Sequence, residues 1–149
     1  MHNLYSKFIE ITTLTVVIFS VYLLSIEIKK YTEATNIATY QKISEGFNDL
    51  TMRRVESSYL REIDLIVMKY GTNALKNEID KTSYFIYLSA MLRLTEVAYK
   101  SWKKEILDGD EKNRFSVAEC MAYHNINNLN RRLFITQEYK NYLKESCKK

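Results

Sequence analysis

The chain has 149 residues, a formal charge of +4 from 22 Lys and Arg against 18 Asp and Glu, no Pro and only 3 Gly. That length fits one domain, or a small domain with an appended segment, and the shortage of turn residues excludes the many short strands of a sandwich, barrel or propeller. Apolar residues at 46% exclude global disorder, and a small positive charge spread along the whole chain does not make a nucleic-acid surface.

The first element is apolar. From Ile11 to Ile26 the chain runs without a charge, between Glu10 and Glu27. At a rise of ~1.5 Å per residue this stretch covers about 24 Å, and about 31 Å when extended from Phe8 to Ile28, against a hydrocarbon core of ~30 Å. Tyr5 and Tyr31 flank it where aromatic belts sit, and Lys7, Lys29 and Lys30 can reach headgroups. The expectation is a single membrane-spanning helix that meets the lipid bilayer through residues 8–28. Two other readings compete. A cleaved signal peptide needs a small-x-small site, which Ser20, Ser25 and the bulky residues between them do not supply. A buried core helix is compatible with the Thr and Ser in the run. Lys29, Lys30 and Lys42 outnumber Lys7, which places the carboxyl-terminal domain in the cytoplasm. Cys120 and Cys147 are too few for a disulfide framework and read as reduced thiols there. No GxxxG pattern signals a tight dimer of spans.

Residues 31–149 read as one helical domain, with no repeat and no Pro-rich linker. Ile37, Tyr40, Ile43, Phe47 and Leu50 form one helical stripe, interrupted by Gly46. Val55, Tyr59, Ile63, Ile66, Val67 and Tyr70 form another, with a start at Ser57 or Ser58, or merely a bend there, and an end at Gly71 in the position of a left-handed cap. The clearest helix spans about Thr82 to Leu107, where Phe85, Leu88, Leu92, Tyr99, Trp102 and Ile106 make a continuous seam. Asp108-Gly109-Asp110 reads as a turn, and Ser116-Val117-Ala118-Glu119 matches a capping box opening the next helix. That helix weakens among Asn125, Asn127, Asn128 and Asn130, a stretch readable as helix, turn or loop, and Thr136 is a candidate cap for a last helix bearing Tyr139, Tyr142 and Leu143.

Glu96 breaks the apolar seam, so its carboxylate must find a partner or shift its pKa upward. Arg93 stands one turn away, and Arg53, Arg54, Arg131 or Arg132 could reach it from another helix. Glu96, Arg93, Tyr99 and Trp102 are therefore the speculative ligand or ion-pair site; an ion pair that sets helix register is the plainer reading. Cys120 and His124 share a helical face but lack the further ligands of a zinc site. Asp108, Asp110 and Glu119 match three positions of a calcium loop that lacks its Gly and a further ligand. No phosphate-cradling loop and no nucleophile, metal-protease or redox motif occurs, so no catalytic, cofactor-binding or metal-binding set is expected.

Leu92, Glu96, Tyr99, Trp102, Ile106-Leu107-Asp108, then Phe134 and Tyr139-x2-Tyr142-Leu143, resemble a pattern in a group of bacterial proteins with one amino-terminal span and a small helical cytosolic domain. The pattern covers roughly the last 60 residues and departs from the group in lacking a Pro and a second Trp after Asp108. The resemblance implies that layout and no activity. The expected fold is all-α, with residues 1–30 as anchor and 31–149 as a bundle of about four helices. The expected role is a membrane-anchored, non-catalytic interaction module that meets a protein partner or a second copy. The alternative is a ligand-binding or enzymatic domain around Glu96, Tyr99 and an arginine.

Overall fold

The computed structural model describes the backbone of residues 2–148 and the side chains of residue 7 and residues 10–148. Tyr5 and Phe8, expected at one end of the span, and His2 and Lys149 lie outside the described side chains. Every regular element among the described residues is helical: α1 (His2–Glu56), α2 (Ser58–Tyr70), a 3-10 turn (Thr72–Ala74), α3 (Glu78–Lys103), α4 (Gly109–Asn113), α5 (Ser116–Asn128) and α6 (Gln137–Ser146). Contacts divide the chain into two units, Met1–Ala38 and Thr39–Lys149.

The first unit is a length of α1. Its most apolar 18-residue window has a mean hydropathy of 2.0 and no buried residue, so the helix is long and apolar enough to cross a membrane. The hydroxyls in this run are not left idle: Thr15 donates to the Ile11 carbonyl at 2.9 Å and Ser20 to the Val16 carbonyl at 2.8 Å. Internal bonds of this kind let hydroxyl residues stand in an apolar helix without an unsatisfied donor.

The second unit is built around α3. Tyr84, Leu88, Leu92 and Thr95 are among its fully buried side chains, and they pack with Ile63 and Val67 of α2, Ala122 and Ile126 of α5, and Tyr139 and Leu143 of α6. A smaller cluster joins Ile43 of α1 to Ala98, Leu107 and Phe115, with Phe47 stacked on Phe115 at 4.7 Å between ring centres. Gly46 marks the closest approach: a Cβ there would stand 2.9 Å from a methyl of Leu94. This gives the helix-weakening glycine a packing reason.

Local chemistry sets the element ends. Ser57 caps α2 by accepting from the Leu60 amide at 3.2 Å, and Asn77 caps α3 by accepting from the Ile79 amide at 2.9 Å. The helix expected from Thr82 therefore starts four residues earlier, at Glu78. The capping box lies at Asp108 and Glu111, not at Ser116 and Glu119: Asp108 accepts from the Glu111 amide at 2.7 Å while Glu111 accepts from the Asp108 amide at 3.1 Å. Helix α5 does begin at Ser116, but without a side-chain cap, because Glu119 points inward. The Asn-rich stretch remains helical through Asn128, and Asn130 takes a positive φ of 55° as the chain leaves α5.

One expectation about chemistry is overturned. Cys120 and Cys147 are not free thiols; they form a disulfide between α5 and the end of α6, with Cα atoms 5.3 Å apart. The tertiary fold brings together two residues 27 apart in sequence, which spacing alone could not pair.

Gly71 ends α2 at φ 77° and ψ 171°, a region that side chains beyond glycine essentially avoid, while a Cβ there would touch nothing within 4 Å. Gly71→Ala should therefore lower unfolding stability by about 1–3 kcal/mol through backbone strain alone. Gly71→Asn should not restore it, since Asn relieves only the left-handed helical region. Urea unfolding of the full chain in non-ionic detergent measures both.

Candidate functional site

The residues singled out from sequence fall together at the junction of α3 and α6. Glu96 is 8% exposed on α3. Its Oε1 accepts from the Thr136 amide at 3.1 Å and from Lys100 Nζ at 2.9 Å. Its partner is thus the lysine one turn along the same helix, not Arg93, which is exposed. The other candidate arginines are engaged elsewhere or point to solvent: Arg53 pairs with Asp49, Arg54 with Asp64 and Arg131 with Glu78, while Arg132 is exposed. The Thr136 amide belongs to the N-cap residue of α6, whose own side chain makes no capping bond. Glu96 therefore supplies from α3 the negative charge that the amino end of α6 favours. Burial alone would raise its pKa, but the bonds from Thr136 and Lys100 outweigh it and hold the carboxyl below its ordinary value of 4.5.

Tyr99 and Trp102 enter an aromatic cluster. Tyr99 lies 4.6 Å from Tyr142 and 5.2 Å from Tyr139 between ring centres, and Trp102 lies 6.0 Å from Tyr99. The Tyr99 hydroxyl donates to Glu138 at 3.1 Å. Glu96, Tyr99 and Trp102 are thus brought together, and α6 occupies the space they face.

Sequence reasoning missed the centre of this region. Lys112 and Glu119, 3% and 1% exposed, form an ion pair at 2.7 Å. Glu119 Oε1 also accepts from the Tyr142 hydroxyl at 3.2 Å, and Oε2 accepts from the Tyr139 hydroxyl at 3.0 Å. Lys112 also donates to Tyr142, and the Tyr139 hydroxyl lies 2.7 Å from Thr95 Oγ1, which in turn donates to the Leu92 carbonyl at 3.0 Å. Burial pushes the Glu119 carboxyl above its ordinary range, opposed by Lys112 and Tyr139. Burial first and Glu119 second raise the Tyr139 hydroxyl, which therefore stays protonated and a donor. No residue-spacing rule pairs Lys112 with Glu119, because they belong to different helices, and the match of Glu119 to a capping box disguised it further. The surplus of tyrosine, 12 residues, was the available signal that buried carboxylates here find hydroxyl partners.

The metal readings lose their donors. The sulfur of Cys120 is bonded to Cys147, and the His124 imidazole lies 2.9 Å from the Cys147 carbonyl. Asp108 caps α4 while Glu119 is buried beside Lys112, so the calcium-loop positions do not converge. Among the described residues no cluster of three His, Cys, Asp or Glu is placed to hold a metal ion, and every buried side-chain nitrogen or oxygen has a partner.

Two outcomes follow. Lys112→Met should destabilise the domain by about 3–5 kcal/mol by stranding Glu119, whereas adding Glu119→Leu should recover most of that loss; thermal unfolding of both variants measures the difference. Because the pKa of Glu96 is depressed on folding, its contribution is present above pH 4.5 and is lost as pH falls through the folded value. Glu96→Gln should cost about 1 kcal/mol at neutral pH and flatten the acid side of the stability profile, as read by denaturant midpoints from acid to neutral pH.

Compared with known proteins, the chain matches no family model, and no curated protein or solved structure is significantly similar to it.

Proposed function

We propose that the chain is a single-pass membrane protein that holds a small helical interaction domain at the bilayer surface. The observation that carries this reading is the exposed run in α1: Ile11, Leu14, Val16, Val17, Ile18, Phe19, Val21, Tyr22, Leu23 and Leu24 are 46–66% exposed, with nothing from the described chain over them. At a span centre such apolar side chains favour insertion by about 0.3–0.6 kcal/mol each, so the run as a whole favours lipid over water by several kcal/mol. The same layout characterises the bacterial proteins whose aromatic pattern roughly the last 60 residues resemble.

The domain's role is docking. Leu65, Met68, Ile79, Ile86 and Val117 are each more than 60% exposed on the second unit, which suits contact with a protein partner or a second copy. The competing pocket around Glu96 and Tyr99 has weaker support, because α6 already engages both side chains.

Orientation rests on two opposed signals. The lysine excess after the span favours a cytoplasmic domain, by a margin of about two charges. The disulfide favours an oxidising compartment, because cytosolic reductants keep such pairs open. A small charge bias only inclines insertion, whereas the bridge has to be able to form where the domain resides. We therefore place the domain on the oxidising side.

The full-length protein should sediment with membranes and resist an alkaline carbonate wash, and Val17→Arg with Phe19→Arg should release it, since each arginine costs about 2.5–3.5 kcal/mol at a span centre. Wild-type protein in a detergent-free supernatant would end the anchoring reading. Chemical crosslinking in membranes should give a partner or a dimer; monomer alone at every salt concentration counts against docking. Alkylation of acid-quenched cells with a maleimide polymer should add no mass unless reductant is supplied first, and prompt double alkylation would put the domain back in the cytosol.

A further inference from the structure

The disulfide does more than join two helices. Helix α6 is only ten residues long and mostly polar, and its buried side chains are Tyr139 and Leu143. A helix of this length does not persist alone in water. What α6 brings to the domain is disproportionate to its size: the Tyr139 and Tyr142 hydroxyls on Glu119, the Thr136 amide on Glu96, and the acceptor for Tyr99. It is the cover over the buried Lys112–Glu119 pair. The bridge to Cys120 ties the far end of this cover, because Cys147 is its C-cap residue.

The bridge is also reachable. Both cysteines line a cleft of about 460 Å³ with Val117, Met121, His124 and Ser146. Val117 is 79% exposed and Met121 37%, so the apolar wall of the cleft faces solvent. Cys147 is 5% exposed and belongs to the main core cluster, whereas Cys120 is only half-buried on the cleft, so a thiol has an approach on the Cys120 side alone.

We propose that Cys120–Cys147 is a thiol-responsive clasp whose reduction, by a dithiol entering over Val117 and Met121, releases α6 and uncovers the Lys112–Glu119 pair. One thiolate of the dithiol attacks the Sγ of Cys120, the less buried of the two residues, forming a mixed disulfide and expelling Cys147 as thiolate. The second thiol of the reductant then resolves the mixed disulfide. The reductant leaves as its own disulfide, having supplied two electrons, and Cys120 and Cys147 each take a proton. Release changes the surface in kind, since a buried cation, a carboxylate and two tyrosine hydroxyls become open to a partner.

Hydrogen exchange on the full-length chain in non-ionic detergent tests it, with oxidised protein, protein reduced by dithiothreitol, and the Cys120→Ser/Cys147→Ser variant in parallel. Reduction should speed exchange of the α6 amides by about 400-fold, the loop-closure contribution of a bridge of this span, and speed those around Lys112 and Glu119 with them. The serine variant should match the reduced protein, and the α3 amides from Tyr84 to Leu92 should stay protected. Unchanged α6 exchange after reduction overturns the clasp, and so does simultaneous loss of protection in α3, which would make the bridge a staple of the whole fold. Access has its own arm: Val117→Trp, which fills the cleft, should slow reduction at least tenfold without moving the urea midpoint. A reduction rate that is insensitive to this change and equals the global unfolding rate would overturn the entrance.

Discussion

The second unit depends on one costly arrangement, a lysine and a glutamate removed from water together. Lys112 and Glu119 are both almost completely buried and 2.7 Å apart, and an isolated pair of that kind repays its desolvation only when its remaining hydrogen-bonding capacity is also met. Here four elements converge to meet it. Helix α4 carries Lys112, α5 carries Glu119, α6 brings two tyrosine hydroxyls, and Thr95 on α3 takes up the far side of Tyr139. An apolar pair would fill the same volume without specifying direction. The ionic pair accepts only one placement of α6, the one that delivers both hydroxyls.

The two buried carboxylates of this region are balanced in opposite ways. Glu96 sits near the surface, where a lysine on its own helix and the amino end of α6 favour the charged form more than partial burial disfavours it. Glu119 sits deeper, where burial dominates in spite of Lys112. As pH rises from the acid range, Glu96 gains stabilising charge on the surface side of α6, while Glu119 beneath it ionises later and against the cost of its burial. Helix α6 is thus fastened at its amino end by electrostatics, along its length by aromatic stacking and hydroxyl bonds, and at its carboxyl end by a covalent bridge. The number of fastenings reflects how little apolar surface the helix itself buries.

The first unit follows a simpler rule. Thr15, Ser20, Thr32 and Thr35 donate to carbonyls one turn back, and the apolar side chains from Ile11 to Leu24 are exposed all round, so no water-facing stripe remains to organise packing against protein. A helix of that length and composition is apolar enough to cross a membrane. The proposed tethering role rests on this property, and none of the chemistry in the second unit is needed for it.

The sequence by itself determined what depends on neighbours along the chain. The all-α class followed from helical spacing and missing turn residues, the apolar run from composition, and the ends at Gly71 and Thr136 from local backbone preference, because each such signal acts within one or two helical turns. The seam of α3 was legible for the same reason, and Glu96 stood out as the residue that interrupts it. Only the tertiary structure decided what depends on distant segments meeting: Lys100 and Thr136 rather than an arginine as partners of Glu96, Glu119 as a buried ion rather than a capping residue, and Cys120 bonded to Cys147 rather than free. A carboxylate or thiol carries no mark in the sequence of which helix will cover it. That is set by how α5 and α6 close over α3, where the free energy of burial is shared among residues too far apart for any local pattern to report.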